Sequence, residues 1–352
     1  MAVTAIAAIA ALSAACSSSS KTSTGNTTNT TSAAAGAKDS ATLSGAGSTF
    51  VSTILQEWTK AYRSVAPGVT INYQPVGSGA GIQQLTSKTV DFAGSDVTLK
   101  PEEQQATGGP GSVAEVPWVA GAVAVEYNLP EMKNLKLSPA TLAGIFAGKI
   151  TKWNDAAIKA DNQGASPPST GISVVHRSDG SGTTQVFTEF LKATAPEVWT
   201  FGSGKDVPWP TGTGAKGSDG VTAGVKQSPG AIGYSELSFP KQASLGIASI
   251  KNKAGQFMAP TASAVTAALA GATVNPDLTL KLNYTPDDAA AYAMSTPTYL
   301  MFYKAGTDPA KSTALRHFAQ WVLTDGQKLA AGLDYAPMPQ SILDKALEVV
   351  RV

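Results

Sequence analysis

Two periodicities alternate along this chain. Short apolar or β-branched runs read as strands: Val69-Thr70-Ile71-Asn72-Tyr73, Thr89 to Gly94, Gly121 to Tyr127, Ile172 to Val175, Ala231 to Tyr234 and Thr298 to Tyr303. Between them apolar residues recur every three to four positions, the spacing of a helix face. Val51, Ile54, Leu55, Trp58, Tyr62 and Val65 form one such stripe. Val186, Phe187, Phe190 and Leu191 form a second, and Leu315, Phe318, Val322 and Leu323 a third. Strands alternating with helices predict α/β layers and largely parallel sheets, with these stripes as core faces. There is no internal repeat and no apolar run of transmembrane length.

The first forty residues break this pattern. Residues 1–15 carry no charge and are rich in Ala, which fits the apolar core of a secretory signal. Cys16 follows in Leu12-Ser13-Ala14-Ala15-Cys16, which resembles a bacterial lipobox and predicts a lipidated cysteine. Ser13 stands where Leu or Val is commoner, and no Lys or Arg precedes the apolar run. From Ser17 to Ser40 the chain is mainly Ser, Thr, Gly, Asn and Ala without an aromatic residue, so a flexible tether is expected over 16–40. An anchor and a tether imply a soluble body held outside the membrane.

Composition narrows the chemistry. The 352 residues have room for two domains at roughly 100–200 residues each. Lys and Arg number 26 against 25 acids, a formal charge of +1, so no global field draws in nucleic acid and anion recognition has to be local. One Cys and two His exclude a disulfide scaffold, a Cys-rich zinc site and an iron–sulfur cluster. No cofactor motif and no metal site are expected.

The informative positions are three glycine–hydroxyl turns, each ahead of a helix: Ser44 to Phe50 (SGAGSTF), Val76 to Gly81 (VGSGAG) and Arg177 to Thr184 (RSDGSGTT). A helix start exposes backbone N–H groups without partners and the positive end of the macrodipole. Glycine allows close approach and Ser or Thr adds a donor, so each turn is a small anion site. One such turn also serves as an ordinary N-cap. Three that converge can wrap a single tetrahedral oxyanion. None completes a dinucleotide fingerprint or a nucleotide phosphate loop.

Arg177 can hold two oxygens of such an anion, and Asp179 can orient it. Asp96, in Ala93-Gly94-Ser95-Asp96-Val97, fits an anion that retains a proton, as phosphate does at neutral pH and sulfate does not. A carboxylate accepts that proton's hydrogen bond, and against sulfate it meets only repulsion.

These residues match a known family. Leu43–Phe50 (LSGAGSTF), Asn72–Gly81 (NYQPVGSGAG), Val90–Leu99 (VDFAGSDVTL), Gly148–Asp155 (GKITKWND), Val174–Thr184 (VVHRSDGSGTT), Pro229–Glu236 (PGAIGYSE) and Leu333–Ala336 (LDYA) resemble the phosphate-binding lipoproteins of bacterial high-affinity phosphate ABC transporters. The likeness spans about residues 42–350. It implies a two-lobed α/β periplasmic-binding-protein fold (type II), with hinged lobes and a ligand cleft between them. Lobe I would be 41–117 together with 295–352, and lobe II 118–294. The resemblance places ligand contacts at Thr49 and Phe50 (through main-chain N–H), Ser78, Asp96, Arg177, Ser181, Gly182 and Thr183, with Asp179 orienting the arginine. His176 stands where the family more often has a basic residue such as Arg, and it is expected to be structural. The implied role is an extracytoplasmic, lipid-anchored, monomeric receptor that hands inorganic phosphate to membrane permease subunits, without catalysis.

Two other readings stay open. A receptor for another oxyanion such as sulfate or molybdate would use the same turns. A serine-dependent hydrolase would need Ser181 or Ser78 as nucleophile and His176 or His317 as base, and no Gly-x-Ser-x-Gly elbow surrounds either serine.

Overall fold

The structure is a computed structural model and describes residues 36–352. The expected signal segment, Cys16 and most of the expected tether lie outside the described residues. Among the described residues no helix is long and apolar enough to cross a membrane.

One mixed sheet runs through the molecule. Its strands are β1 (Ala41–Gly47), β2 (Val69–Pro75), β3 (Phe92–Ser95), β4 (Val113–Tyr127), β5 (Ser173–Arg177), β6 (Thr213–Ala215), β7 (Ala231–Glu236), β8 (Gly246–Ile247) and β9 (Ser295–Tyr303). The order is β2-β1-β3-β9-β4-β7-β5-β6, with β8 also paired to β4. Two small sheets complete the set. One joins Lys136–Leu137, Ser249–Lys251 and Phe257–Met258, and the other joins Thr273–Val274 and Leu280–Lys281.

The sheet is less parallel than the strand–helix alternation predicts. β1 runs parallel to β2 and β3, and β5 parallel to β6 and β7. The middle is antiparallel, with β9 against β3 and β4, and β4 against β7 and β8. The reason is topological: β4 leaves one wing of the sheet and β9 returns to it, so the two central strands run in opposite directions. The long strand β4 is buried along its length, pairing with β9 from Val113 to Ala122 and with β7 from Val123 to Tyr127. That crossing is what an apolar run such as Gly121 to Val125 signals: a strand covered on both faces.

Helices cover both wings. On the first, α1 (Ser52–Tyr62) carries the stripe Ile54, Leu55, Trp58 and Tyr62 into the core. Trp58 packs on Trp118 of β4 with ring centroids 5.4 Å apart, and Tyr62 on Phe318 of a later helix at 5.1 Å. α2 (Ser78–Thr86) buries Ile82 and Leu85. On the second wing, α3 (Gly182–Thr194) and α4 (Gly217–Gln227) bury Val186, Phe187, Phe190 and Leu191, and Val221 and Val225. There Phe187 stacks on Tyr234 at 4.3 Å, beside Phe146 and Trp209. α5 (Pro309–Leu323) returns to the first wing, where Leu315, Phe318, Val322 and Leu323 are buried. Its His317 meets Asp39, Nδ1 to Oδ2 2.7 Å, so the end of the segment expected as a tether is held against the body.

Candidate functional site

The three glycine–hydroxyl turns lie at the carboxyl ends of β1, β2 and β5, the edge where open α/β sheets bind ligands. The first and third are joined to their helices by side-chain chemistry read directly from sequence. Ser181 is the N-cap of α3, and its Oγ accepts the Thr184 N–H at 3.1 Å. In the first turn the Ser48 Oγ accepts the Phe50 N–H at 3.0 Å, and the Ser52 Oγ donates to the Thr49 carbonyl at 2.7 Å.

Tertiary structure brings the turns together. The Gly79 N–H of the second donates to the Gly180 carbonyl of the third at 2.9 Å. Gly77 caps α2 with φ +93°, and a Cβ there would lie 2.3 Å from Asp179 Oδ2, so the second turn also abuts the arginine and its partner. A Cβ at Gly182 would lie 2.7 Å from the Asp96 Cβ and 2.8 Å from the Ser78 Oγ. Asp96 is the meeting point. The Thr183 hydroxyl donates to its Oδ2 at 3.2 Å, the Ser48 hydroxyl to its Oδ1, and its own N–H points at the Ser78 Oγ, 3.4 Å away.

Every ligand contact expected from sequence falls in this cluster. Thr49, Phe50, Ser78, Asp96, Arg177, Ser181 and Thr183 are each at most 3% exposed. Gly182 is buried with them. Arg177 gives its Nε to Asp179 Oδ1 at 2.7 Å and its Nη2 to Oδ2 at 2.5 Å, the side-on geometry of a guanidinium with a carboxylate. The Arg177 main chain is held too, its N–H donating to the Tyr234 hydroxyl at 3.3 Å.

The electrostatics follow from burial. Burial pushes the Asp96 carboxyl up to about 6, against the opposing pull of the Ser48 hydroxyl, the Arg177 charge, and the Thr183 and Thr298 hydroxyls. At neutral pH the group is therefore an acceptor, though close to taking a proton. For Asp179 burial also acts upward, but the hydrogen bonds and charge of Arg177 and the Gly217 amide outweigh it and hold the carboxyl below its usual value. His176 is pushed down by burial, despite the Arg177 carbonyl and Asp206. It stacks on Trp209 at 4.7 Å and its Nδ1 lies 3.0 Å from the Arg177 carbonyl.

Sequence reasoning missed a fourth turn. Gly214 to Gly220 (GAKGSDG) opens α4 with the same glycine–hydroxyl signature. Its Gly217 N–H donates to Asp179 Oδ1 at 3.0 Å, and its Ser218 N–H to Thr49 Oγ1 at 3.1 Å, with the two hydroxyls 2.9 Å apart. The signal was present, and only the strand Thr213–Ala215 ahead of it is too short to read by periodicity. Lys205, whose main-chain carbonyl accepts the Ser181 N–H at 2.8 Å and whose side chain pairs with Glu103, was likewise not legible, because no motif surrounds it.

Neither histidine is placed against the two candidate serines. The Ser78 and Ser181 hydroxyls meet main-chain N–H groups, His176 faces Trp209 and the Arg177 carbonyl, and His317 faces Asp39.

Comparison with known proteins places this arrangement. Residues 32–326 match the family model described as a PBP superfamily domain. A phosphate-binding protein PstS of Pasteurella multocida is 39% identical over 312 residues, covering 86% of this chain and 88% of that one. A phosphate-binding protein PstS 3 of Mycobacterium tuberculosis is 37% identical over 308 residues, covering 85% and 83%. Among solved structures, a high-affinity periplasmic phosphate-binding protein (PfluDING) bound with phosphate superposes with a TM-score of 0.71 at 24% identity, covering 87% of this chain and 92% of that one. That likeness carries the fold: two lobes of the periplasmic-binding-protein type.

Proposed function

The chain belongs to the PBP superfamily and within it to the PstS phosphate-binding proteins, and on that premise we propose that it captures inorganic phosphate outside the cytoplasm and delivers it to an ABC transporter permease. The observation that carries this reading is the convergence on Asp96. A buried, acceptor-poised carboxylate stands beside Arg177 and is ringed by Ser48, Ser78, Gly182 and Thr183 from turns remote in sequence. An anion with a proton to donate satisfies that carboxylate, and one without leaves it facing negative charge.

In this reading the phosphate contacts are the Thr49 and Phe50 amides, Ser78, Asp96, Arg177, Ser181, Gly182 and Thr183, with Asp179 holding Arg177. They divide between lobe I (41–117 with 295–352) and lobe II (118–294), so ligand bridges the lobes and favours the closed form, as ligand-driven closure requires. Charge-assisted hydrogen bonds of about 1.5–3 kcal/mol each reach the roughly 8 kcal/mol of micromolar affinity with several to spare for closing the lobes. The chain acts as a monomer, without catalysis, and acylation of Cys16 would tether it to the membrane.

Calorimetric titration with phosphate, sulfate, molybdate and arsenate tests the assignment. Phosphate is expected to bind at least a hundredfold more tightly than sulfate or molybdate, and sulfate displacing phosphate at comparable concentration would overturn it.

A further inference from the structure

We propose that Ser48 is a positioning residue that sets the anion selectivity of the site, by directing its hydroxyl proton onto Asp96 and keeping that carboxylate an acceptor. The inference rests on the phosphate reading above and deepens it.

Ser48 is 1% exposed and fixed from several sides. Its N–H donates to the Gly94 carbonyl at 2.8 Å, and its carbonyl accepts the Tyr73 hydroxyl at 2.9 Å. The side chain has one proton and lone pairs to place. The Phe50 N–H points at its Oγ from 3.0 Å, so that side of the oxygen accepts. The proton is left for Asp96 Oδ1. The hydroxyl thereby places a donor on one carboxylate oxygen, an acceptor it keeps when the Phe50 N–H turns to a bound anion. Oδ2 then faces Thr183.

The surroundings make this donor matter. Burial works against a charged Asp96, and the Ser48 hydroxyl opposes it together with the Arg177 charge and the Thr183 and Thr298 hydroxyls. Arg177 spends its Nε and Nη2 on Asp179. Tyr73 stands on the β2 side, its own hydroxyl pushed up by burial and by the Asp96 charge. Asp96 also lines a cavity of about 240 Å³, together with Gln185, Glu189, Lys281, Tyr284 and Tyr299. Glu189 accepts hydrogen bonds from Gln185 at 2.9 Å and Tyr284 at 2.8 Å, so its charge is engaged locally. Ser48 is thus the direct donor on Oδ1, and its loss leaves a buried carboxylate that takes a proton more readily. A protonated Asp96 is a donor, and it would hold sulfate as well as it holds phosphate.

Sulfate is the probe, because it does not titrate in the working range and its affinity reports the protein alone. Competition titrations from pH 5 to 8.5 would compare wild type, Ser48→Ala, Ser48→Thr and Asp96→Asn. In wild type, sulfate binding is expected to strengthen as pH falls through about 6. In Ser48→Ala the same rise should begin about one pH unit higher or more. Ser48→Thr keeps the hydroxyl and should restore the wild-type onset. Asp96→Asn should bind sulfate with no pH onset. An unchanged onset in Ser48→Ala, with Asp96→Asn altered as expected, overturns the role of Ser48 alone. An Asp96→Asn protein with wild-type selectivity overturns the role of Asp96 and this inference with it. A wild-type protein that does not bind phosphate overturns the underlying reading.

Discussion

Asp179 grips Arg177 with both of its carboxylate oxygens, at 2.7 Å to Nε and 2.5 Å to Nη2, and accepts the Gly217 N–H at 3.0 Å with Oδ1. The arginine is therefore aimed before any ligand arrives, by a partner two residues away and by a helix start forty residues away in sequence. Preorganisation of this kind removes the ordering cost of a long side chain from the binding step. Arg177→Ala should lower phosphate affinity by about a hundredfold or more and Asp179→Asn by about tenfold, with circular dichroism unchanged. Calorimetry reads both, and wild-type affinity in Arg177→Ala would take the arginine out of the site.

Gly182 marks how closely the turns approach. A methyl group there would sit 2.7 Å from the Asp96 Cβ and 2.8 Å from the Ser78 Oγ. The first of these is anchored to the main chain and has little room to retreat. Gly182→Ala should hold the two wings apart and lower phosphate affinity by about a hundredfold or more, with an increased radius of gyration in X-ray scattering in the presence of phosphate. A variant that binds and compacts like wild type would show that closure does not need this approach.

The Thr49 hydroxyl is bound across the cleft by both the N–H and the hydroxyl of Ser218. These bonds exist only with the wings together, so they favour the closed form without needing to touch the ligand. Ser218→Ala removes the hydroxyl and keeps the amide. A neutral hydrogen bond contributes about 0.5–1.5 kcal/mol, so affinity should fall about three- to tenfold. The loss should lie mostly in a faster dissociation rate, measured by stopped-flow fluorescence.

Two buried carboxyls outside the site make stability depend on pH. Burial pushes Glu126 and Glu236 each up to about 8, against the hydrogen bonds of Thr222 and Ser235 in one case and of Ser238 and Tyr335 in the other. Both values lie above those of the unfolded chain, so the folded state prefers the neutral acid. That preference is fully present at low pH and is lost as pH rises through about 8. Between pH 7 and 9 each group should remove roughly 1.4 kcal/mol of stability. Around Glu236, Oε1 has no hydrogen-bond partner among the described residues, while Oε2 accepts from the Ser238 N–H at 3.0 Å and from the Ser238 hydroxyl and lies 3.0 Å from the Tyr335 hydroxyl, whose single proton is shared with the Phe50 carbonyl at 2.6 Å. Denaturant melts at the two pH values should show the loss in wild type and a smaller one in Glu126→Gln and Glu236→Gln.

The sequence by itself determined the local pieces. The apolar stripe from Ile54 to Tyr62 became a helix face because its spacing matches a helix turn, and the SDGSGTT segment became an N-capped helix start because Ser181 supplies the capping oxygen. These depend on neighbours within a few residues, and the motif resemblance extended them to a family. Only the tertiary structure decided the central antiparallel strands, since a mostly apolar stretch such as Val113 to Tyr127 does not state which strand it pairs with. Only it placed Ser48 on Asp96 and Ser218 on Thr49. A serine offers the same donor in any turn, and its partner here is chosen by which strand ends the folded sheet carries to the same edge.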